Sequence, residues 1–338
     1  MFQVDYEFQC ISIGLGIWYV RQLLVELVHG KRLNAQKFSI GGTPRKVLYH
    51  NESRTLLVLR TGLNGASSSS DVVQVDPQNG IYVFGFTNEN PHRIKKCAVG
   101  RTRFTITCLK TFASRIAVGD CRDGVLFYSY NESHRKLELV YSDPAHRLVG
   151  DIALLNCETA VVSDRRGSIS VLSCTRLEVS ESPQKNLAVN CSFYMGETAM
   201  SIQKAAFRYR LPIDDDTDPV LETVYNCIVA STMLGSLFVM IPLSSEEHQL
   251  LQDVQEKLSV HPLTAPVLGN DHAEFRQRGT PSVVPPILDG DMLVQFLELT
   301  GEQQQAILTH ALPGKGQHRP LSVFQVLQTL ERVHYALN

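Results

Sequence analysis

Ala160-Val-Val-Ser-Asp164, Arg165-Arg166-Gly167 and Ser168-Ile-Ser-Val-Leu172 run on without a break, and their reading decides the fold. Two short apolar runs rich in β-branched residues flank a three-residue turn. The glycine supplies the positive φ that a tight hairpin turn requires. The pattern returns at Ile228-Val-Ala-Ser-Thr232, Met233-Leu-Gly235 and Ser236-Leu-Phe-Val-Met240, matching the first from Val162 and Ala230 through Val171 and Val239. An earlier copy carries one more turn residue: Arg115-Ile-Ala-Val-Gly-Asp120, Cys121-Arg-Asp-Gly124, Val125-Leu-Phe-Tyr-Ser-Tyr130. In each copy a small or polar residue ends one strand, and Gly124, Gly167 or Gly235 turns the chain.

Gly124 and Gly167 are 43 residues apart, the length of one four-stranded propeller blade. Gly167 and Gly235 are 68 apart, which implies an insertion. The acidic run with Asp214, Asp215, Asp216 and Asp218 falls there and reads as a solvated loop. It resembles part of a calcium loop but lacks the glycine and the closing glutamate at the required offsets.

Working outward, short apolar runs separated by turn residues extend from about Lys37 to Pro242. After Ser244 the apolar period becomes helical. Ser244-Ser-Glu-Glu247 forms a capping box ahead of a stripe of Leu250, Leu251, Val254 and Leu258, which Pro262 and Pro266 stop. A second helix is predicted from about Gly290 to Leu299 on Met292, Leu293, Phe296 and Leu297, and Gln303 to Thr309 continues it or forms a third. Residues 311–320 read as linker. Ser322 then caps a last helix carrying Val323, Val326, Leu327, Leu330 and Val333. The expected fold class is mostly β with an α C-terminus: a partial β-propeller followed by a small helical domain. The expected organisation is an atypical segment over 1–30, an incomplete propeller of four to five blades over 31–243, and a helical domain over 244–338. In the first segment, Ile11 to Val20 is apolar, but Arg21 and Glu26 interrupt it before a membrane span accumulates, and Met1 to Glu7 lacks the positive start of a secretory signal. A buried strand fits better.

The chain has 338 residues, 43% hydrophobic and 20% charged, with a net charge of −2. That balance excludes a disordered tail, a collagen-like rod and a long coiled coil. It also excludes a uniformly basic nucleic-acid coat, though not a local basic face. The eight cysteines include no CxxC pair, so they read as buried, reduced, small apolar residues of an intracellular protein.

No nucleophile elbow, phosphate loop or HExxH zinc motif occurs. Gly14-Leu-Gly16 lacks the third glycine of a dinucleotide fingerprint. His272-Ala-Glu274 has the HxE form of a zinc deaminase, but no cysteine follows Cys227 to complete a metal site. No catalytic residue, cofactor, metal, membrane or small-molecule substrate is therefore expected. Arg101 and Arg103 precede a strand, Arg122 sits in one hairpin turn, and Arg165 and Arg166 sit in another. Equivalent turns of successive blades share a rim, so these arginines are candidates for binding nucleic-acid phosphate. The plainer alternative is that charged residues belong in exposed turns.

Asp271-His272-x-x-Phe275-Arg276, followed by Ile287-Leu-Asp289-Gly290-Asp291-Met292 and the run through Phe296-Leu297, resembles the carboxy-terminal signature of the cleavage and polyadenylation specificity factor A (CPSF A) proteins. This group includes the large subunit of the damaged-DNA-binding protein and the large propeller subunit of the spliceosomal SF-three-b complex. Gly41-Gly-Thr43-Pro44-Arg45-Lys46-Val47, Val118-Gly-Asp120, Tyr194-Met-Gly-Glu197 and Gly235-Ser-Leu-Phe238 resemble further family positions, in order, over about 24–338. Gly100-Arg-Thr-Arg-Phe104 and Leu263 to His272 are most similar to plant-type members.

The resemblance implies a truncated member of a family of non-enzymatic scaffolds. Family members have propellers and a helical carboxy-terminal domain, and they assemble protein subunits in nuclear mRNA 3′-end processing or splicing, with RNA or DNA binding as an inherited candidate. An adaptor in a cullin-type ubiquitin ligase is the alternative. The join near Asp76 to Ile81 is abrupt beside the family pattern, so strands are expected to be missing there, leaving a fragment that is marginal alone or needs a partner. Asp289 and Asp291 are expected to cap the helix that follows them, since carboxylates suit its positive start.

Overall fold

The computed structural model describes residues 19–26, 32–39, 42–61, 79–86, 94–174, 185–210, 221–265, 269, 271–279, 284, 286–310 and 321–335. The acidic run at 214–218, the linker at 311–320, Gly14, Gly16 and Cys10 lie outside them. The chain divides into two compact units, 1–157 with 174–187 and 158–173 with 188–338.

In the first unit, β1 (Tyr19–Glu26) pairs antiparallel with β2 (Arg32–Ser39). Strands β3 (Thr43–His50), β4 (Thr55–Thr61), β5 (Asn79–Phe86) and β6 (Ile94–Arg101) form a four-stranded antiparallel sheet in chain order. The strands on either side of the join where missing strands were expected, β4 and β5, pair directly: Leu57 lies opposite Val83 and Leu59 opposite Ile81. Residues on that face, with Ala98, form one core with Ile106, Leu109, Ile116, Val118, Tyr128 and Leu137. The latter belong to a second meander, β7 (Ile106–Phe112), β8 (Arg115–Asp120), β9 (Gly124–Asn131) and β10 (Lys136–Ser142). Strand β11 (Val149–Leu154), buried throughout, packs on β7 and β8. Its full burial fits a strand covered on both sides.

In the second unit, β12 (Thr159–Asp164) pairs antiparallel with β13 (Ser168–Cys174), and β14 (Lys185–Tyr194) lies beside β13. Strands β15 (Ala199–Arg210), β16 (Leu221–Thr232) and β17 (Leu237–Met240) form a three-stranded antiparallel sheet. The architecture is a partial β-propeller followed by helices.

The helices are α1 (Ser245–Val260), α2 (His272–Arg276), α3 (Gly290–Val294), α4 (Gly301–Thr309) and α5 (Val323–Tyr335). The Ser244–Glu247 capping box forms: the Glu247 amide donates to Ser244 Oγ at 3.2 Å, and the Ser244 amide donates to Glu247 at 2.8 Å. A second box, Thr300 with Gln303, starts α4. The helix predicted over 290–299 is shorter. It tightens to a 3₁₀ turn at Gln295–Glu298, and the buried Gln304 amide donates to Phe296 O at 2.9 Å. Leu251, Val254, Leu258, Met292, Leu293, Phe296, Ile307, Leu308, Val326 and Leu330 form the helical core; Ile307 and Leu308 join it from outside the predicted stripes, and Leu250, Leu297, Val323 and Leu327 of those stripes pack against it partly buried. Among the described residues no helix is long and apolar enough to cross a membrane. The seven described cysteines are free, but only Cys108 and Cys227 are buried, and the other five are half-buried.

Candidate functional site

The three hairpin turns share one construction. At the first, Asp120 Oδ1 accepts the amides of Arg122 and Asp123 at 2.9 and 3.1 Å, and Gly124 takes φ +80°. At the second, Asp164 Oδ1 accepts the Arg166 amide at 2.9 Å, and Gly167 takes φ +93°. At the third, Thr232 Oγ1 accepts the Ser236 amide at 3.1 Å, and Gly235 again takes φ +93°. The residue ending the first strand of each hairpin thus satisfies the turn amides with its own side chain, as Asx and Ser/Thr turns do. Asp120 is wholly buried, which raises its pKa against the pull of the amides it accepts.

Within the first unit, the segment after β10 braces the first turn. The Asp143 amide donates to Val125 O at 2.8 Å, and its carboxylate accepts Arg147 Nε at 2.8 Å. Within the second unit, Tyr194 to Thr198 does this for two turns. The Met195 and Gly196 amides donate to Gly167 O at 2.8 and 3.3 Å, and Thr198 Oγ1 donates to Arg165 O at 2.9 Å. Glu197 accepts Thr232 Oγ1 at 2.6 Å and Ser236 Oγ at 3.0 Å. The Tyr194-Met-Gly-Glu197 run therefore fastens the second hairpin turn to the third.

The same unit holds a dense polar cluster, centred on Asp289, which is 4% exposed. Its Oδ2 accepts Arg276 Nε at 2.7 Å and lies 2.8 Å from His272 Nε2. Its Oδ1 accepts the Asp291 and Met292 amides at 3.1 and 3.4 Å, which is the expected helix cap. Its own amide donates to Gln255 Oε1 of α1 at 2.7 Å. Burial pushes the Asp289 carboxyl up, but the His272 hydrogen bond and the Arg276 charge outweigh it and hold the pKa below the ordinary value. Arg276 also donates to Tyr194 O at 3.2 Å and lies over the Phe193 ring at 4.7 Å, while Phe275 meets Tyr194 edge-on at 5.4 Å. The cluster therefore ties α1, α2 and α3 to the end of β14. Its carboxylate is occupied by four donors and its arginine by carboxylate, carbonyl and ring, so the groups are spent on one another.

The remaining signature residues have smaller parts. Asp271 is exposed and caps α2 through the Glu274 amide at 3.1 Å. Asp291 is exposed and stands in the first turn of α3, so only Asp289 caps it. Gly290 has an ordinary backbone, and an added Cβ would meet nothing within 4 Å. Among the described residues no group of three or more His, Cys, Asp or Glu is placed to hold a metal ion.

Of the arginines, Arg101 ends β6 opposite Gly80. Arg103 and Arg122 are exposed in the first unit, Arg122 with its guanidinium 5.2 Å from the Phe104 ring centre. Arg165 and Arg166 are exposed in the second unit, at the tip of their hairpin. Sequence reasoning missed Gln255 and Lys257. Lys257 is buried, donates to Leu308 O at 2.7 Å and His310 O at 2.8 Å, and caps α4 from outside. Burial pushes its pKa down. The signal was there: a lysine inside the apolar stripe of Leu251, Val254 and Leu258 has to find acceptors.

Comparison with known proteins places this geometry. The chain is similar to splicing factor 3B subunit 3 of Drosophila melanogaster, 25% identical over 67% of this chain and 18% of that protein. It is similar to the probable splicing factor 3B subunit 3 of Dictyostelium discoideum, 24% identical over 81% of this chain and 21% of that protein. It is also similar to the pre-mRNA-splicing factor prp12 of Schizosaccharomyces pombe, 22% identical over 79% of this chain and 22% of that protein. The chain thus spans about a fifth of the length of these relatives. The family model for the CPSF A subunit region matches residues 77–298, which hold all three hairpin turns, the Tyr194 to Glu197 brace and the Asp289 cluster, and the chain belongs to that family.

Proposed function

We propose that the chain is a non-enzymatic scaffold that mediates protein–protein assembly in nuclear mRNA processing, on the splicing side of its family. The observation that carries this reading is the match over 77–298, together with relatives named as splicing factors. The Asp289 cluster supports it: the acid, the histidine and the arginine that chemistry would recruit are engaged in joining helices to a strand. In the reading we adopt, 31–243 is the propeller part and 244–338 the helical domain. Arg101, Arg103, Arg122, Arg165 and Arg166 are proposed as phosphate contacts to RNA.

Tagged full chain purified from nuclei, with mass spectrometry of what accompanies it, tests the assembly. Enrichment of splicing subunits supports the reading. Enrichment of a cullin and its substrate receptors in their place overturns it in favour of the ligase adaptor. For the arginines, single-stranded RNA affinity should fall linearly on a log–log plot against salt, and replacing Arg122 and Arg165 by Ala should shallow the slope by about one to two. Unchanged affinity and slope would remove them from the interface.

A further inference from the structure

Within the second unit, an aromatic pair stands beside the hairpin turn that carries two arginines. Tyr194 ends β14, and its ring is reached from two distant parts of the sequence. A Cβ added to Gly167 would stand 3.3 Å from Tyr194 Cε2, so the ring lies against the turn with Arg165 and Arg166. Backbone and hydroxyl fix that contact: the Met195 amide donates to Gly167 O at 2.8 Å, and Thr198 Oγ1 donates to Arg165 O at 2.9 Å. From α2, Phe275 meets the same ring edge-on at 5.4 Å. The Arg278 guanidinium stands 5.9 Å from the centre of the Tyr194 ring, and the Arg278 amide donates to Phe275 O at 3.3 Å. The chain thus turns after α2 and brings Arg278 back beside the two rings.

The groups differ in how far their neighbours engage them. Arg276 is spent on Asp289, on Tyr194 O and on the Phe193 ring. Its contacts to Tyr194 O and Phe193 do not pass through Asp289, so α2 keeps its seat on β14 without that carboxylate. Arg165, Arg166 and Arg278 are exposed. Phe275, although it touches another ring, is 44% exposed. The carboxylates of the turn and its brace are occupied: Asp164 accepts the Arg166 amide, and Glu197 accepts Thr232 and Ser236. Asp271 and Glu274 are exposed at the start of α2, at the opposite end of the helix from Arg278.

We infer that Phe275 and Tyr194, with Arg165, Arg166 and Arg278, form a site for single-stranded RNA in which a nucleobase stacks on the exposed Phe275 ring and the adjoining phosphates meet the arginines. The chemistry of the site selects this ligand. An aromatic face open to water takes a flat unpaired base whatever its sequence, and a duplex keeps its base faces covered. An arginine fork matches phosphate oxygens, and the three exposed arginines come from two segments that converge on one ring. An acidic peptide would satisfy the arginines and leave the Phe275 ring unused.

The inference rests on the RNA part of the proposed function and deepens it, adding a base contact to the phosphate contacts. The probe is a short fluorescein-labelled oligouridylate titrated into the full chain, with binding followed by anisotropy over a series of salt concentrations. Phe275→Leu keeps apolar bulk and net charge, so it should weaken RNA about fivefold or more and leave the salt slope as it is. Phe275→Trp keeps an aromatic face and should hold the wild-type affinity. Arg278→Ala should shallow the slope by about 0.7, the value of one phosphate contact on a single strand. Heparin, which carries the charge and no bases, should bind wild type and Phe275→Leu equally. In the unmutated chain, a bromouridine strand irradiated in the complex should crosslink to the peptide that contains Phe275.

RNA binding that Phe275→Leu leaves unchanged, with the crosslink elsewhere, would overturn the inference while the other arginine contacts stand. Equal weakening of RNA and heparin by Phe275→Leu would mean that the ring acts through the fold, and would overturn it as well. A polyglutamate peptide that binds with the same dependence on Phe275 would assign the surface to an acidic polypeptide in place of RNA. Absence of RNA binding by the wild type would overturn both this site and the RNA part of the proposed function, while the assembly reading is decided separately by what accompanies the chain from nuclei.

Discussion

Replacing Asp289 by Ala removes the acceptor for two side chains and two amides at once, in a site that is 4% exposed. Loss of the helix cap alone costs about 1 kcal/mol. Leaving Arg276, whose side chain is 20% exposed, beside a vacated pocket costs more, since breaking a buried ion pair from one side costs about 3–5 kcal/mol. These contributions share a carboxylate and do not add, so we expect a total of about 3–5 kcal/mol. Asp291→Ala removes only a favourable charge from the exposed first turn of the same helix, worth ~0.3–1 kcal/mol. Asp289→Asn keeps an acceptor for the amides and loses the charge, and should fall between them.

The assay is urea unfolding of the full chain followed by far-ultraviolet circular dichroism and by Trp18 fluorescence, so that separate transitions in the two units are visible. The pH dependence adds a signature. The folded Asp289 pKa lies below its unfolded value, so its contribution is fully present above the ordinary carboxylate range and is lost as pH falls through the folded pKa. The wild type should therefore lose its advantage over Asp289→Asn on acidification. RNA affinity per folded molecule should not change in any of the three variants. Equal destabilisation by Asp289→Ala and Asp291→Ala, or a selective loss of RNA binding, would refute the reasoning that the cluster is a structural joint.

The turn glycines should rank by what an added Cβ meets. Gly124→Ala places it 2.8 Å from Ala145 O, Gly167→Ala 3.3 Å from the Tyr194 ring, and Gly235→Ala in open space. Backbone strain of about 1–2 kcal/mol is common to all three, so unfolding midpoints should fall in that order, and a reversed order would contradict the geometry. Asp120 should titrate with the opposite sign to Asp289: its folded pKa is raised, so its cost to stability grows as pH rises through that value, and Asp120→Asn should flatten the slope. Burial pushes the Cys108 thiol up to about 12, so iodoacetamide at pH 8 should label half-buried Cys121 and Cys157 before Cys108; early labelling of Cys108 would show that its sheet opens. Phe296→Ala, at the centre of the helical core, should cost about 3–5 kcal/mol by urea unfolding.

The sequence by itself determined what depends on neighbours along the chain. The three hairpins with their glycines follow from apolar period and turn chemistry, which are local. The same is true of the Ser244–Glu247 capping box, the core stripes of α1 and α5, and the cap by Asp289. The break of the predicted 290–299 helix into a 3₁₀ turn was not legible, because it is stabilised by Gln304, which reaches Phe296 O from the next helix. Neither was the second partner of Asp289: the sequence separates it from Arg276 by 13 positions and from Gln255 by 34. That Tyr194 to Glu197 joins two turns depends on which strand lies beside which. Hydrogen bonds between distant segments obey geometry in space, and no period along the chain records them.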